Sequence, residues 1–270
     1  MLKSVRVVSA NSNPKNETLA LGYSDTLPLY IRDIGGLNPP KATINTTESI
    51  FKDGSYYNSA KNSDRNIVIE LGYRQVPGYT NLEAIRNKIY QNFPIGRDIR
   101  LEFITDYLPN PVFIDGYVET NEVSVFTKEP IHIISIICPN PNFYENSYTV
   151  VNTAADGINL TPYIGTAPSP FIFQKTFEKE TGQFAVGVGG LNTIKLKYLP
   201  AGSVLRIDTE PTKRKIVFVK DNVESPAYTH VNGGTMSLTI SASNAYFGVW
   251  SGHNSTSGFE IKFKKAYVGL

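Results

Sequence analysis

Ile67-Val68-Ile69-Glu70-Leu71-Gly72-Tyr73, then Thr80-Asn81-Leu82-Glu83, then Ile99-Arg100-Leu101-Glu102-Phe103: the run from 67 to 103 decides the fold class of this chain. In the first segment Ile67, Ile69, Leu71 and Tyr73 fall on one side of an extended chain, and in the third apolar residues alternate with charged ones. Both are two-residue periods, the mark of strands. Between them the period changes. Leu82, Ile85 and Ile89 recur at three and four residues, one face of a helix. Thr80 and Glu83 fit a capping box in which hydroxyl and carboxylate each satisfy a free backbone N–H. Pro77-Gly78 precedes the segment and Phe93-Pro94-Ile95-Gly96 closes it. The spacing predicts a helix over 80–92. A helix set among strands makes the first part of the chain α+β.

Further strands are predicted at Val112 to Glu119 and at Ile131 to Ile137. The second is apolar on both faces and therefore reads as a central strand. Residues 139–170 change character, with Pro139, Pro141, Pro162, Pro168 and Pro170 among Asn, Thr and Gly, and the domain boundary is placed there, near 147. Beyond 170, short strands return at even spacing: Phe171–Phe177, Gln183–Val188, Thr193–Leu199, Val204–Asp208, Lys215–Val219, Met236–Ile240, Ala245–Trp250 and Phe259–Tyr267. Such a series reads as a β-sandwich. The expected fold is mainly β, with an α+β domain at 1–146 and a β-sandwich domain at 147–270. The 270 residues suit two domains.

Composition narrows the function. A net charge of +2 is too mild for a nucleic-acid or membrane surface. No apolar stretch of 18 residues occurs, and the N-terminus lacks the apolar region of a signal peptide, so the chain is read as a soluble product of a cytoplasm. Sixteen Tyr and 14 Phe against one Trp favour half-buried strands and protein contact surfaces. The one cysteine, Cys138, sits in an apolar run and reads as a small core residue. His132, His230 and His253 stand at no metal-ligand spacing from one another. Gly187-Val188-Gly189-Gly190 lacks the third glycine of a dinucleotide fingerprint and reads as a hairpin turn. Asp208 and Glu210 share a strand face, but Pro211 follows at once, so they read as a solvated strand end rather than a pair for glycoside cleavage. Lys213-Arg214-Lys215 is a basic turn. No catalytic residue, metal site or cofactor is expected.

Sugar binding is weighed separately, because sugar rings stack on aromatic planes. Tyr246, Gly248 and Trp250 share a face by alternation, and packing inside the sandwich is the expectation for that face.

One segment exceeds generic β structure: Ile31-Arg32-Asp33-Ile34-Gly35-Gly36-Leu37-Asn38-Pro39-Pro40-Lys41-Ala42-Thr43-Ile44-Asn45-Thr46, running on to Asp53-Gly54 and to Arg65-Asn66-Ile67-Val68-Ile69. It resembles the N-terminal signature of the distal tail protein (Dit) family of long, non-contractile-tailed bacteriophages of Gram-positive hosts. Gly116-Tyr117-Val118-Glu119, Cys138-Pro139-Asn140-Pro141-Asn142-Phe143-Tyr144, Gly202 to Thr209 and the ending Lys265 to Leu270 follow in the same order. The resemblance implies a tail-tube-like first domain and a galectin-like β-sandwich second domain. It implies a structural protein of the virion tail tip, in which a hexameric ring joins the tail tube to the host-adsorption apparatus. Its implied partners are the chain itself, the tail tube protein, the tail-associated hub or lysin protein, the tape measure protein and a receptor-binding protein, with no specific nucleic acid and no membrane. Arg32, Leu37, Pro39, Pro40, Asp53 and Arg65 are the implied interface positions, and segment 31–69 is expected to supply much of the ring contact. The alternative is a carbohydrate-binding β-sandwich module that attaches to a bacterial cell surface.

Overall fold

The computed structural model describes residues 2–9, 19–23, 27–51, 53–76, 81–124, 130–154, 156–160, 163–189, 192–243, 246–251 and 258–270. Pro77, Gly78, Thr80, Pro162, Ala245 and His253, named above, lie outside the described residues. The chain divides into two compact units. One is Met1–Asn146 with Val268–Leu270, and the other is Ser147–Tyr267. The last three residues thus belong with the first unit.

The first unit contains β1 (Leu2–Ser9), β2 (Leu19–Gly22), β3 (Leu29–Gly35), β4 (Ala42–Glu48), β5 (Ser55–Asn62), β6 (Arg65–Tyr73), α1 (Leu82–Asn92), β7 (Asp98–Thr105), β8 (Val112–Val123), β9 (Ile131–Cys138) and β10 (Phe143–Glu145). Its main sheet is antiparallel, in the order β2-β1-β7-β8-β9-β6-β3, with β10 beside the start of β8. β9 lies between β8 and β6, the central place its two apolar faces called for. Ile67, Ile69 and Leu71 of β6, Ile99, Leu101 and Phe103 of β7 and Ile134 and Ile136 of β9 are buried on the core side. Facing pairs such as Ile67 with Ile136 and Ile69 with Ile134 tie neighbouring strands together. α1 buries Ile85 and Ile89. Its N-cap is Asn81, whose side-chain oxygen accepts from the Ala84 N–H at 3.0 Å. Asn serves this position at least as well as Thr, so the helix starts at Leu82, two residues later than the expected 80.

Cys138 is buried against Gly116, and burial pushes its thiol up to about 12 despite the nearby Arg65 cation. It is chemically inert at neutral pH. His132 is buried as well. Its Nδ1 lies 3.0 Å from the Asn121 side-chain oxygen, while the Asn121 amide donates to the Phe93 carbonyl. That arrangement makes Nδ1 the protonated nitrogen, and Nε2 has no hydrogen-bond partner among the described residues. The rings of Tyr73 and Tyr90 flank it, each 5.4 Å away. Burial first, then the Arg86 cation, pushes the imidazole down to about 4. Between pH 6.5 and 4 the unfolded chain therefore takes up a proton that the folded chain refuses. Stability is intact above pH 6.5 and falls as the pH drops towards 4, by roughly 2–3 kcal/mol from this residue. Urea unfolding at pH 7.5 and 4.5 should show that difference, and His132→Gln should flatten it. An equal slope in both proteins would refute the assignment.

The second unit is a sandwich of two antiparallel sheets. The first carries β11 (Thr149–Thr153), β13 (Phe171–Thr176), β16 (Val204–Asp208), β17 (Lys215–Lys220), β18 (Val223–Pro226) and β21 (Phe259–Phe263), in the order β11-β21-β13-β16-β17-β18. The second carries β12 (Gly157–Leu160), β14 (Thr181–Val188), β15 (Asn192–Leu199), β19 (Val231–Gly234) and β20 (Tyr246–Ser251), in the order β12-β20-β14-β15-β19. Aromatic rings bridge the sheets: Phe171 meets Phe247 edge-on at 4.9 Å, and Phe173 lies 5.9 Å from Phe184. β14 and β15 form a hairpin whose last register pair is Val188 with Asn192, around the glycine run read as a turn. Gly190 itself lies outside the described residues.

Two expectations for this unit change. Met236–Ile240 is not a paired strand. Leu238 and Ile240 are buried in the core, yet the segment makes only a single bridge, Ser169 with Ile240, among the described residues. Its alternation reflects an extended chain that lines the core without joining a ladder. Trp250 is also not packed inside. Alternation placed Tyr246, Gly248 and Trp250 together correctly, but Phe247 and Val249 are the buried pair, and Trp250 faces outward at 46% exposure.

Candidate assembly interface

β4 and β5 form a two-stranded sheet of their own, and every residue of both strands is exposed. At about 3.3 Å per residue the arm spans some 20 Å. The chain enters it from β3, an end strand of the main sheet, and returns into β6, the partner of β3.

Its register sorts the side chains. Ile44 faces Ala60 and Thr46 faces Tyr57, while Asn45 faces Ser59 and Thr47 faces Tyr56. Asn58 is the extra residue of a bulge at this point. One side of the arm therefore carries Ala42, Ile44, Ala60 and Tyr57 together with Thr46 and Asn62. The other carries Tyr56 among mainly polar residues and is knitted by side-chain hydrogen bonds, from Asn45 Nδ2 to Ser59 Oγ at 3.1 Å and between Thr43 Oγ1 and Ser63 Oγ at 3.1 Å. Asn58 Nδ2 reaches Thr47 Oγ1 at 2.6 Å. On the apolar side Ile44 is 62% and Tyr57 66% exposed, and at the tip Ile50 is 89% and Phe51 91% exposed. A lone hairpin is marginal in water, and this one leaves its large apolar groups uncovered while its outer backbone edges are unpaired within the described residues.

The root of the arm is the opposite case. Gly36 has φ +85°, and a side chain there would run into the Asn66 carbonyl. Arg65 is 3% exposed. Its Nε donates to the Pro141 carbonyl at 2.7 Å, Nη1 to the carbonyls of Gly36 and Asn38 at 2.5 Å, and Nη2 to the Val268 carbonyl at 2.6 Å. The guanidinium also lies 4.5 Å from the centre of the Phe143 ring. Burial pushes its pKa down, but a guanidinium stays charged in proteins. The Leu270 N–H donates to the Leu37 carbonyl at 3.0 Å, so the chain end is tied to the same root.

The six residues named from sequence separate accordingly. Leu37 and Pro40 are half-buried at the root, and Pro39 is exposed beside them. Arg32 is exposed on β3, at the register shift between Ile31 and Asp33. Asp53 is exposed in the turn at the tip, next to Gly54. Arg65 presents nothing outward: its donors are turned to carbonyls of its own unit, and it holds the root together rather than meeting a neighbour. Sequence reading missed Ile44, Ile50, Phe51 and Tyr57. Their signal was large apolar residues in an otherwise Asn-, Thr- and Ser-rich stretch.

Among the described residues no group of three or more His, Cys, Asp or Glu could hold a metal, and no helix is long and apolar enough to cross a membrane. Asp208 accepts from the Glu210 N–H at 3.0 Å, fixing the turn that follows β16. Burial, then the Asp208 charge, raises the Glu210 pKa.

No protein-family model matches the sequence, and no curated protein matches it. Solved structures do match. The crystal structure of the Dit protein of phage SPP1, described as a paradigm of the hub adsorption apparatus of phages that infect Gram-positive bacteria, matches with a TM-score of 0.67 at 12% identity, over 98% of this chain and 99% of that one. A chain of the phage P2 baseplate in its activated, Ca-bound conformation matches with a TM-score of 0.49 at 12% identity, over all of both chains. This chain has the fold of the SPP1 Dit protein along its length.

Proposed function

We propose that this chain is a structural hub protein of a phage tail tip, a distal tail protein whose copies close a hexameric ring between the tail tube and the host-adsorption apparatus. The observation that carries it is the arm: a hairpin with an uncovered apolar side and tip, held on a rigid root, in a chain that shares its fold with a phage hub protein. An arm that meets a different surface of the next copy is a heterologous contact, and such contacts close into rings when the rotation is right. Arg32, Leu37, Pro39, Pro40 and Asp53 join the arm's apolar side as the interface, and the polar side remains in water. The tail tube protein, the tail-associated hub or lysin protein, the tape measure protein and a receptor-binding protein are the further partners. DNA passes through the ring without specific contacts, and the role is assembly rather than catalysis.

Light scattering with negative-stain imaging tests this. The wild-type chain should form a ring of six times the 29.9 kDa of one copy. Ile44→Ser, Ile50→Ser, Phe51→Ser and Tyr57→Ser combined should leave a monomer with unchanged thermal stability, because none of these side chains contributes to the core. A ring that survives the four changes would remove the arm from the interface. A wild-type chain that stays monomeric at every concentration and binds sugar would favour the surface-attachment module instead.

A further inference from the structure

Trp250 is the only tryptophan of the chain, and it sits where nothing in the assembly role requires one. It is on the outer face of the second sheet of the sandwich, with Phe247 and Val249 of the same strand buried beneath. The indole lies down across Gly248. A side chain built on that glycine would meet the ring carbons of Trp250 at 2.1–2.7 Å. The ring therefore fills the space above Gly248, and the residue is 46% exposed. Beside it the sheet surface is low. Ala185 stands opposite Trp250 and Gly187 opposite Gly248. Past them on the next strand come Lys195, opposite Ala185, and Thr193, opposite Gly187. Two strand spacings, about 10 Å, separate the indole strand from the lysine strand across this floor.

The charge of the face is one-sided. None of the strands β12, β14, β15, β19 and β20 contains an Asp or Glu, and the charged residues in them are Lys195 and Lys197. Both lysines alternate outward, on the side away from the buried Ile194 and Leu196. The other sheet of the sandwich is different: there Glu224 pairs with Arg206 and Lys215, and Glu260 with Lys262. Of the two sandwich sheets, among the described residues, only that of Trp250 holds outward cations with no acidic side chain in its strands.

We propose that this face binds one ring of an anionic saccharide. The C–H face of the sugar stacks on the free side of the Trp250 indole. Lys195 and Lys197 neutralise a carboxylate or phosphate on that unit or the next, and Thr193 and Gln183 lie on the same side to meet hydroxyls. A flat apolar ring framed by hydrogen-bonding and cationic groups suits a sugar, whose two faces differ in the same way. The surface is open rather than enclosed, so binding of one ring is weak, and repeated copies or a repeating polymer raise it. The site stands independently of ring assembly, because its residues all lie in the second unit and none is in the arm.

A lone tryptophan makes the test direct, since all indole emission reports this position. The full chain is titrated with tetragalacturonate, glucose 1-phosphate, neutral maltotetraose and inorganic phosphate. Tetragalacturonate or glucose 1-phosphate should shift or quench the emission, distinguishing a uronate from a phosphate sugar, and maltotetraose should bind about tenfold more weakly. Lys195→Ala with Lys197→Ala should erase that preference. Ala185→Glu, which leaves the indole in place and adds an acid to the floor, should abolish the response while circular dichroism and wild-type emission persist. A response to inorganic phosphate as large as that to glucose 1-phosphate, an equal response to maltotetraose, no response to any sugar, or full binding by Ala185→Glu would each overturn the proposal.

Discussion

Replacing Arg65 with Ala should lower the stability of the first unit by about 4 kcal/mol, and its melting temperature by about 10 °C. Four backbone carbonyls, of Gly36, Asn38, Pro141 and Val268, converge on one guanidinium. They come from chain segments far apart in sequence, and at 3% exposure water cannot replace the lost donors. Buried acceptors left without partners cost the full desolvation of each group. The substitution also removes the cation from the face of the Phe143 ring. Arg65→Lys should recover little, because an ammonium is a single point and cannot reach four carbonyls spread around a planar fork. The damage should appear first at the root: faster exchange of the Leu270 amide, which donates to the Leu37 carbonyl, and faster proteolysis within 42–62. Chemical unfolding followed by amide exchange measures both. A variant as stable as wild type, with a protected Leu270 amide, would show that the four carbonyls find other donors.

Arg65 also shows where sequence reading stops. Its position before Ile67 and Ile69 identifies the start of a strand, and that was legible. Its partners are 27, 29, 76 and 203 residues away, and no local pattern encodes a convergence of that kind. An arginine in an interface signature therefore read as a residue facing a neighbour. The strands around 67–73, 99–105 and 131–138 were legible for the opposite reason: each has one side committed to the core, and the two-residue period records that commitment directly. β4 and β5 have no such side. Thr, Asn and Ser pair across both strands, the scattered Ile and Tyr cover nothing, and the segment carries no core signal because it has no core. Trp250 is an intermediate case. Period fixed the set that shares its face but not which face points inward. The deciding hint was Gly248 between Tyr246 and Trp250, since a glycine on that side leaves room for an indole to lie on the outside of the sheet.

The same physics predicts an asymmetric result in the second unit. Lys175 occupies the core-facing place that follows Phe171 and Phe173 along β13, its side chain is 0% exposed, and its Nζ lies 2.7 Å from an oxygen of Asp156, which is 12% exposed. Either single change removes one partner, yet the two leave different remnants. Asp156→Ala takes the carboxylate from a buried ammonium that lies 6.0 Å from the Phe177 ring, and should cost about 3–5 kcal/mol. Lys175→Met keeps the stem's packing and removes the buried charge. The remaining carboxylate is close enough to the surface to turn to water, so the cost should be about 1 kcal/mol. Combining Lys175→Met with Asp156→Asn should bring stability back to near wild type, because a buried ion pair contributes little net stability when both charges leave together. Urea unfolding of the three variants gives the double-mutant cycle, whose coupling term should be about 2–4 kcal/mol. Equal costs for the two single changes would mean that the ammonium, not only the carboxylate, already reaches water, and that this end of the sandwich opens in solution.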